Sequence, residues 1–186
     1  MIVMRITLAF LVFTLMIAVA PARADQSDPL LDRLFLQLAK ATTPPEAQGV
    51  EKEIQSLWQR SGSDTVDVLM ARSQLSIDGQ DVATAKKLLD AVTEMRPNFA
   101  EVWYQRGALL AAMNNGQEAL QDLLRAVDLE PRHYQALVLA GKIAEDSADK
   151  RTALDLYRKA VVINPQLEAT KRKIAALAAE LEGKDI

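Results

Sequence analysis

Few side chains in this sequence are suited to chemistry, and their spacing argues against catalysis. The one histidine, His133 in Pro131-Arg132-His133-Tyr134, is the only imidazole in 186 residues, and cysteine is absent. Without a thiol there is no disulfide framework, thiolate zinc site or cysteine nucleophile. One imidazole supplies no multi-histidine metal centre, no Gly-rich phosphate loop occurs, and no Ser-His-Asp set assembles from motifs. Glu145 and Asp146 are adjacent, so on a helix they diverge instead of flanking a common substrate. His133 reads first as a packing residue between structural units and otherwise as a pH-sensitive contact. Arg72 and Arg106 suit either an anion contact or a stem laid across a helix pair, with a carboxylate such as Asp122 or Asp128 as partner for Arg106. Lys171-Arg172-Lys173, with Glu168 four residues before Arg172, reads as a solvated helix face. The net charge of −3 argues against a phosphate-backbone binder. The expectation is a non-enzyme with no catalytic residue, cofactor or metal.

What must position these side chains divides into a leader and a repeat. Residues 6–20 form an almost unbroken apolar run behind Arg5, and Pro21-Ala22-Arg23-Ala24 places small residues before Asp25. This is the form of a secretory signal peptide, expected to be cleaved after Ala24. As a helix, 6–20 would span about 22 Å, short of the ~30 Å hydrocarbon core, although retention as an anchor is the alternative. Cleavage removes Arg5 and Arg23 and no acid, leaving 20 basic and 25 acidic side chains, a net −5.

Pro97, Pro131 and Pro165 lie 34 residues apart, each preceded at twelve residues by Ala85, Ala119 or Ala153. Twelve residues earlier again stand Ser73, Gly107 and Gly141. Apolar rows at helical spacing (Leu89/Val92/Met95, Leu123/Ala126/Leu129 and Tyr157/Ala160/Ile163) lie between. Small residues let two helices approach closely, and proline ends each unit. Gly79-Gln80-Asp81, Asn114-Asn115-Gly116 and Ser147-Ala148-Asp149 are turn signals between paired helices. A 34-residue period of this kind predicts an all-α solenoid of antiparallel helix hairpins. On these residues, and best in Trp103-x2-Arg106-Gly107-x2-Leu110 with Ala119-x3-Leu123 and Pro131, the chain resembles the tetratricopeptide-repeat (TPR) family, in particular its short exported bacterial members. The units are 66–99, 100–133 and 134–167, and the resemblance implies a right-handed superhelix.

The flanks read as covers. Residues 168–186 keep a helical row through Ile174, Leu177, Ala178 and Leu181 and predict a C-terminal capping helix. Residues 25–65 predict a helical pair, a degenerate repeat or cap: Asp28-Pro29 opens one helix with Leu30, Leu31, Leu34, Phe35 and Leu38 on a stripe, and Thr43-Pro44-Pro45-Glu46 has the capping-box form for a second. Val50, Ile54, Leu57 and Trp58 form its apolar row, and both Trp58 and Trp103 read as core.

The resemblance implies a binding groove on the concave face, lined by the first helix of each unit. Carried over position by position, it places Met70, Gln74 and Ile77 there from the first unit. Glu101, Tyr104, Gln105, Ala108 and Ala112 come from the second, and Gln135, Val138, Lys142 and Glu145 from the third. That groove would suit a protein or peptide with apolar anchors and neutral or basic flanks. Family members that clamp a chaperone's C-terminal carboxylate use Lys, Asn and Arg where this chain has Met70, Gln74, Gln105, Gln135 and Leu139, so that ligand class is not expected. The expected function is a non-catalytic scaffold or adaptor in the envelope of a Gram-negative cell, located in the periplasm. A chaperone-like module for unfolded apoproteins is the alternative, and an accessory envelope enzyme the reading from another class.

Overall fold

Helix starts are set by local chemistry. The Asp28 carboxylate accepts from the Leu30 N–H at 2.8 Å, with Pro29 at the first helical position, where its missing donor costs nothing. Asp81 and Asp149 cap later helices by accepting from the N–H of Thr84 and Thr152, each at 3.1 Å. The computed structural model describes residues 28–183, and among them the order is α1 (Pro29–Lys40), α2 (Pro44–Trp58), α3 (Asp64–Asp78), α4 (Val82–Met95), α5 (Ala100–Ala112), α6 (Gly116–Leu129), α7 (Tyr134–Asp146), α8 (Lys150–Ile163) and α9 (Glu168–Glu182), with no strand. The expected export signal and its cleavage site lie outside the described residues. None of the described helices is long and apolar enough to cross a membrane.

Three hairpins, α3–α4, α5–α6 and α7–α8, stack in sequence, and α9 closes the far end against α8. The fold is an all-α helical-repeat solenoid. Within each hairpin the chain turns through one left-handed residue, Gln80, Asn114 or Ala148, with φ of 60°, 62° and 64°. Gly79, beside the first of these, keeps an ordinary φ of −81°. Close approach of paired helices explains the small residues. A Cβ on Gly107 would lie 2.9 Å from Leu123 Cγ, and one on Gly141 would lie 2.7 Å from Tyr157 Cε1. The first unit has Ser73 there instead, buried, its hydroxyl donating to the Met70 carbonyl at 2.8 Å.

The α1–α2 pair does not stack in front of α3 as another unit. It lies along the edge where each unit hands over to the next, and α2 runs against the direction of the stack. Near its start, the Ala41 carbonyl accepts from Gln166 Nε2 at 2.8 Å, and Glu51 accepts from Asn164, both at the α8–α9 connection. Trp58 meets His133 and Tyr134 at the α6–α7 connection. Beyond its end, the Ser61 carbonyl accepts from Arg96 Nη2 at 2.7 Å, at the α4–α5 connection. Leu31, Leu34, Phe35, Leu38, Ile54, Leu57 and Trp58 therefore share one apolar cluster with α6, α7 and α8, while the side chains of α3 and α4 form another. Each such fully buried side chain contributes about 1.5–3 kcal/mol relative to exposure.

One local expectation fails. Thr43 makes no side-chain cap bond. Pro44 and Pro45 remove the first two helical donors, and the Glu46 carboxylate instead accepts from the N–H of Thr42 at 2.9 Å and from its hydroxyl.

Candidate functional site

The first helices of the three hairpins, together with α2, enclose a run of three adjoining clefts. The middle one, about 380 Å³, is lined by Gln55 of α2 and Gln59 just past its end, Gln74 and Ile77 of α3, Glu101, Tyr104, Gln105, Ala108, Leu109 and Ala112 of α5, and Gln135 of α7. A second, about 440 Å³, continues over the first unit past Gln59, Asp67, Met70, Ala71, Gln74, Leu75 and Gln105. The third, about 500 Å³, continues over Ala108, Ala111, Ala112, Leu139, Lys142, Ile143 and the α5–α6 turn. Shared residues join them into one trough: Gln59, Gln74 and Gln105 on one side of the middle cleft, Ala108 and Ala112 on the other.

The trough is not open on both flanks, because α2 supplies one wall. That wall is anchored by stacking. Trp58 lies over His133 with ring centroids 4.3 Å apart and planes 15° from parallel, and Tyr104 meets the same imidazole at 4.5 Å. His133 is fully buried. Its Nδ1 accepts from the Ala136 N–H at 3.3 Å, capping α7, which leaves Nε2 facing Glu101 Oε2 at 3.4 Å. The histidine is thus an inter-unit packing and capping residue. Burial first, and the Glu101 carboxylate second, push the Tyr104 phenol up to about 12, so it stays neutral as a wall of the trough.

Glutamine amides dominate the polar lining. Gln105 Nε2 donates to Glu101 Oε1 at 2.9 Å, while its buried Oε1 has no partner among the described residues. Gln74 Nε2 donates to Asp78 at 2.8 Å. Glu101 lines the middle cleft but is buried between Gln105 and His133, so the centre of the trough presents amides in place of free carboxylates.

Of the twelve groove residues expected from the sequence, Met70, Gln74, Ile77, Glu101, Tyr104, Gln105, Ala108, Ala112, Gln135 and Lys142 line these clefts. Val138 is drawn into the apolar clusters. Glu145 is committed to the scaffold: its Oε2 accepts from Tyr157 Oη at 2.7 Å and from Lys173 of α9. The Lys173 bond first, and the Tyr157 bond second, hold the Glu145 carboxyl below the usual glutamate range. Burial, then the bond to Glu145, drives the Tyr157 phenol upward. Lys142 pairs with Asp146 at 2.6 Å. Gln55 and Gln59 were absent from the expectation because the pairing of α2 with α5 and α7 leaves no periodic trace. Their spacing of four residues beside Trp58 is the one available signal.

Arg106 resolves as a scaffold residue too. Its Nε and Nη2 bind Asp122 at 2.7 and 2.8 Å, and Nη1 reaches across to Asp90 and Thr93 of α4, both at 3.1 Å. The carboxylates, Asp122 foremost, raise its already high basicity. Among the described residues no group of three or more His, Asp or Glu side chains is placed to hold a metal.

Residues 100–133 match the family model of the tetratricopeptide repeat. A TPR repeat-containing protein of Rhizobium etli is 29% identical over 153 residues, covering 82% of this chain and 75% of that one. Among solved structures, MamA matches with a TM-score of 0.59 at 20% identity, over 74% of this chain and 84% of its own. The Yersinia enterocolitica type III secretion chaperone SycD, in complex with a peptide of the translocator YopD, matches with a TM-score of 0.58 at 13% identity, over 67% and 97%. These two likenesses concern the fold. Helix pairing, the 34-residue period and the matched unit converge: residues 100–133 are a tetratricopeptide repeat, and the chain is similar to tetratricopeptide-repeat proteins in sequence and in fold.

Proposed function

We propose that this protein is a non-catalytic interaction module whose trough holds an extended peptide segment of a partner protein. The observation that carries this is the lining of the trough, whose polar groups are mostly glutamine amides and whose floor is alanine and leucine. Amides of Gln55, Gln59, Gln74 and Gln135 can bond either peptide group, so the main chain is held with little regard to its side chains. Apolar side chains of the segment would sit against Met70, Ile77 and Ala108. The lining lacks the cationic clamp for a terminal carboxylate, and neutral or basic flanks suit the net negative charge.

In this reading the protein is exported by its leader, cleaved after Ala24, and works in the periplasm as a scaffold or adaptor of the envelope. Sequencing the amino terminus of protein recovered from that compartment tests the location, and a start at Asp25 is expected. A photo-crosslinker at Gln59 or Gln135 in cells tests the groove. One folded partner marks an adaptor, whereas several unfolded exported chains mark a chaperone-like role. If Tyr104→Ala and Met70→Glu leave every crosslink intact, the trough is not the binding site.

A further inference from the structure

The three units are copies in fold, so the second and third show what ordinarily covers the first. Position three of the unit is Val68, Val102 and Ala136; position ten is Leu75, Leu109 and Ile143. Where a preceding hairpin is stacked, these are buried: Val102 and Ala136 are 0% exposed, Leu109 5% and Ile143 8%. In the first unit, Val68 is 55% and Leu75 70% exposed, because α1–α2 has gone to the edge. Position seven lies between them and is Arg72 here and Arg106 in the second unit. Arg106 is held by Asp90 and Thr93 of the preceding hairpin's α4. Arg72 is exposed and has neither hydrogen bond nor ion pair among the described residues.

We propose that this leading face of α3 docks an amphipathic helix of a partner protein, one that offers apolar side chains to Val68 and Leu75 and a carboxylate to Arg72, as α4 offers Asp90 to Arg106. The charge argues for a different partner over a second copy. Two α3 helices related by a two-fold axis would bring Arg72 against its own equivalent, where like charges repel. This surface is separate from the trough and does not depend on the peptide reading.

The probe is a helical peptide of sequence 82–95, stapled between positions 84 and 88, which lie on the side away from Asp90 and Thr93. Titrated into isotope-labelled full chain, it should shift the amides of Val68, Arg72 and Leu75 saturably. Arg72→Glu should weaken binding roughly tenfold, and an Asp90→Lys peptide should restore it. Absence of shifts on this face, or no rescue by the charge swap, overturns the proposal. So does binding that appears only after residues 1–27 are removed, which would give the face to the chain's own amino-terminal segment. A mass that doubles with concentration in sedimentation and is abolished by Leu75→Glu would assign the face to a second copy, and overturns it equally.

Discussion

Trp58 and His133, 75 positions apart in the chain, stack at 4.3 Å and fix the wall of the trough. One belongs to the non-repeating hairpin and the other to the connection between the second and third units. The stack therefore fastens α2 to the solenoid, and the middle cleft has its second wall because of it.

Trp58→Ala should cost about 3–5 kcal/mol, as for other buried tryptophans. The loss should be uneven, freeing α1–α2 before the stacked hairpins. Limited trypsin digestion is the measurement. Cleavage after Arg60 should accelerate in the variant far more than cleavage within α5–α8. Uniform acceleration at all sites would mean that the hairpin is not a separately docked element.

Helix approach gives a second expectation. Gly141→Ala would press a Cβ to 2.7 Å from the buried Tyr157 ring, and Gly107→Ala would press one to 2.9 Å from Leu123. Overpacking of this sort costs about 1–3 kcal/mol. Denaturant unfolding should show Gly141→Ala as the more damaging, since a buried ring yields less readily than the end of a leucine.

The turn in the third unit should respond in the opposite direction. Ala148 has φ of 64°, a conformation that costs a residue with a Cβ about 1–2 kcal/mol. Ala148→Gly removes that strain while loosening the unfolded chain, for a net gain of about 0.5–1 kcal/mol. An unchanged or lowered midpoint in thermal unfolding contradicts this.

Acid sensitivity follows from Glu145. Its carboxyl titrates lower in the folded protein, through Lys173 and then Tyr157. Its stabilisation is therefore complete above the ordinary glutamate range and disappears as pH falls through the lowered folded value. The stability difference between wild type and Glu145→Gln should be constant near neutrality and shrink over that acid window. A difference independent of pH would show that the ion pair with α9 contributes nothing.

The sequence by itself determined the repeat. The 34-residue spacing of prolines, the glycines at helix crossings and the aspartates at helix starts act within one hairpin, across neighbouring turns, and such short-range constraints leave a period in the chain. Ten of the residues that the family resemblance carried onto the concave face line the clefts, because a shared unit geometry carries each position to the same face. The tertiary structure decided what no period records. It laid α2 against the stack, turned His133 into a cap beneath Trp58, bound Glu145 to α9 and bridged Arg106 to Asp90 across two units. The physical reason is one of range. An apolar stripe states that a helix must be covered, but which distant surface covers it depends on shape and charge matched between segments far apart in the chain. The hairpin 29–58 found its complement along the handover edge, which walled one side of the middle cleft and left Val68, Arg72 and Leu75 exposed.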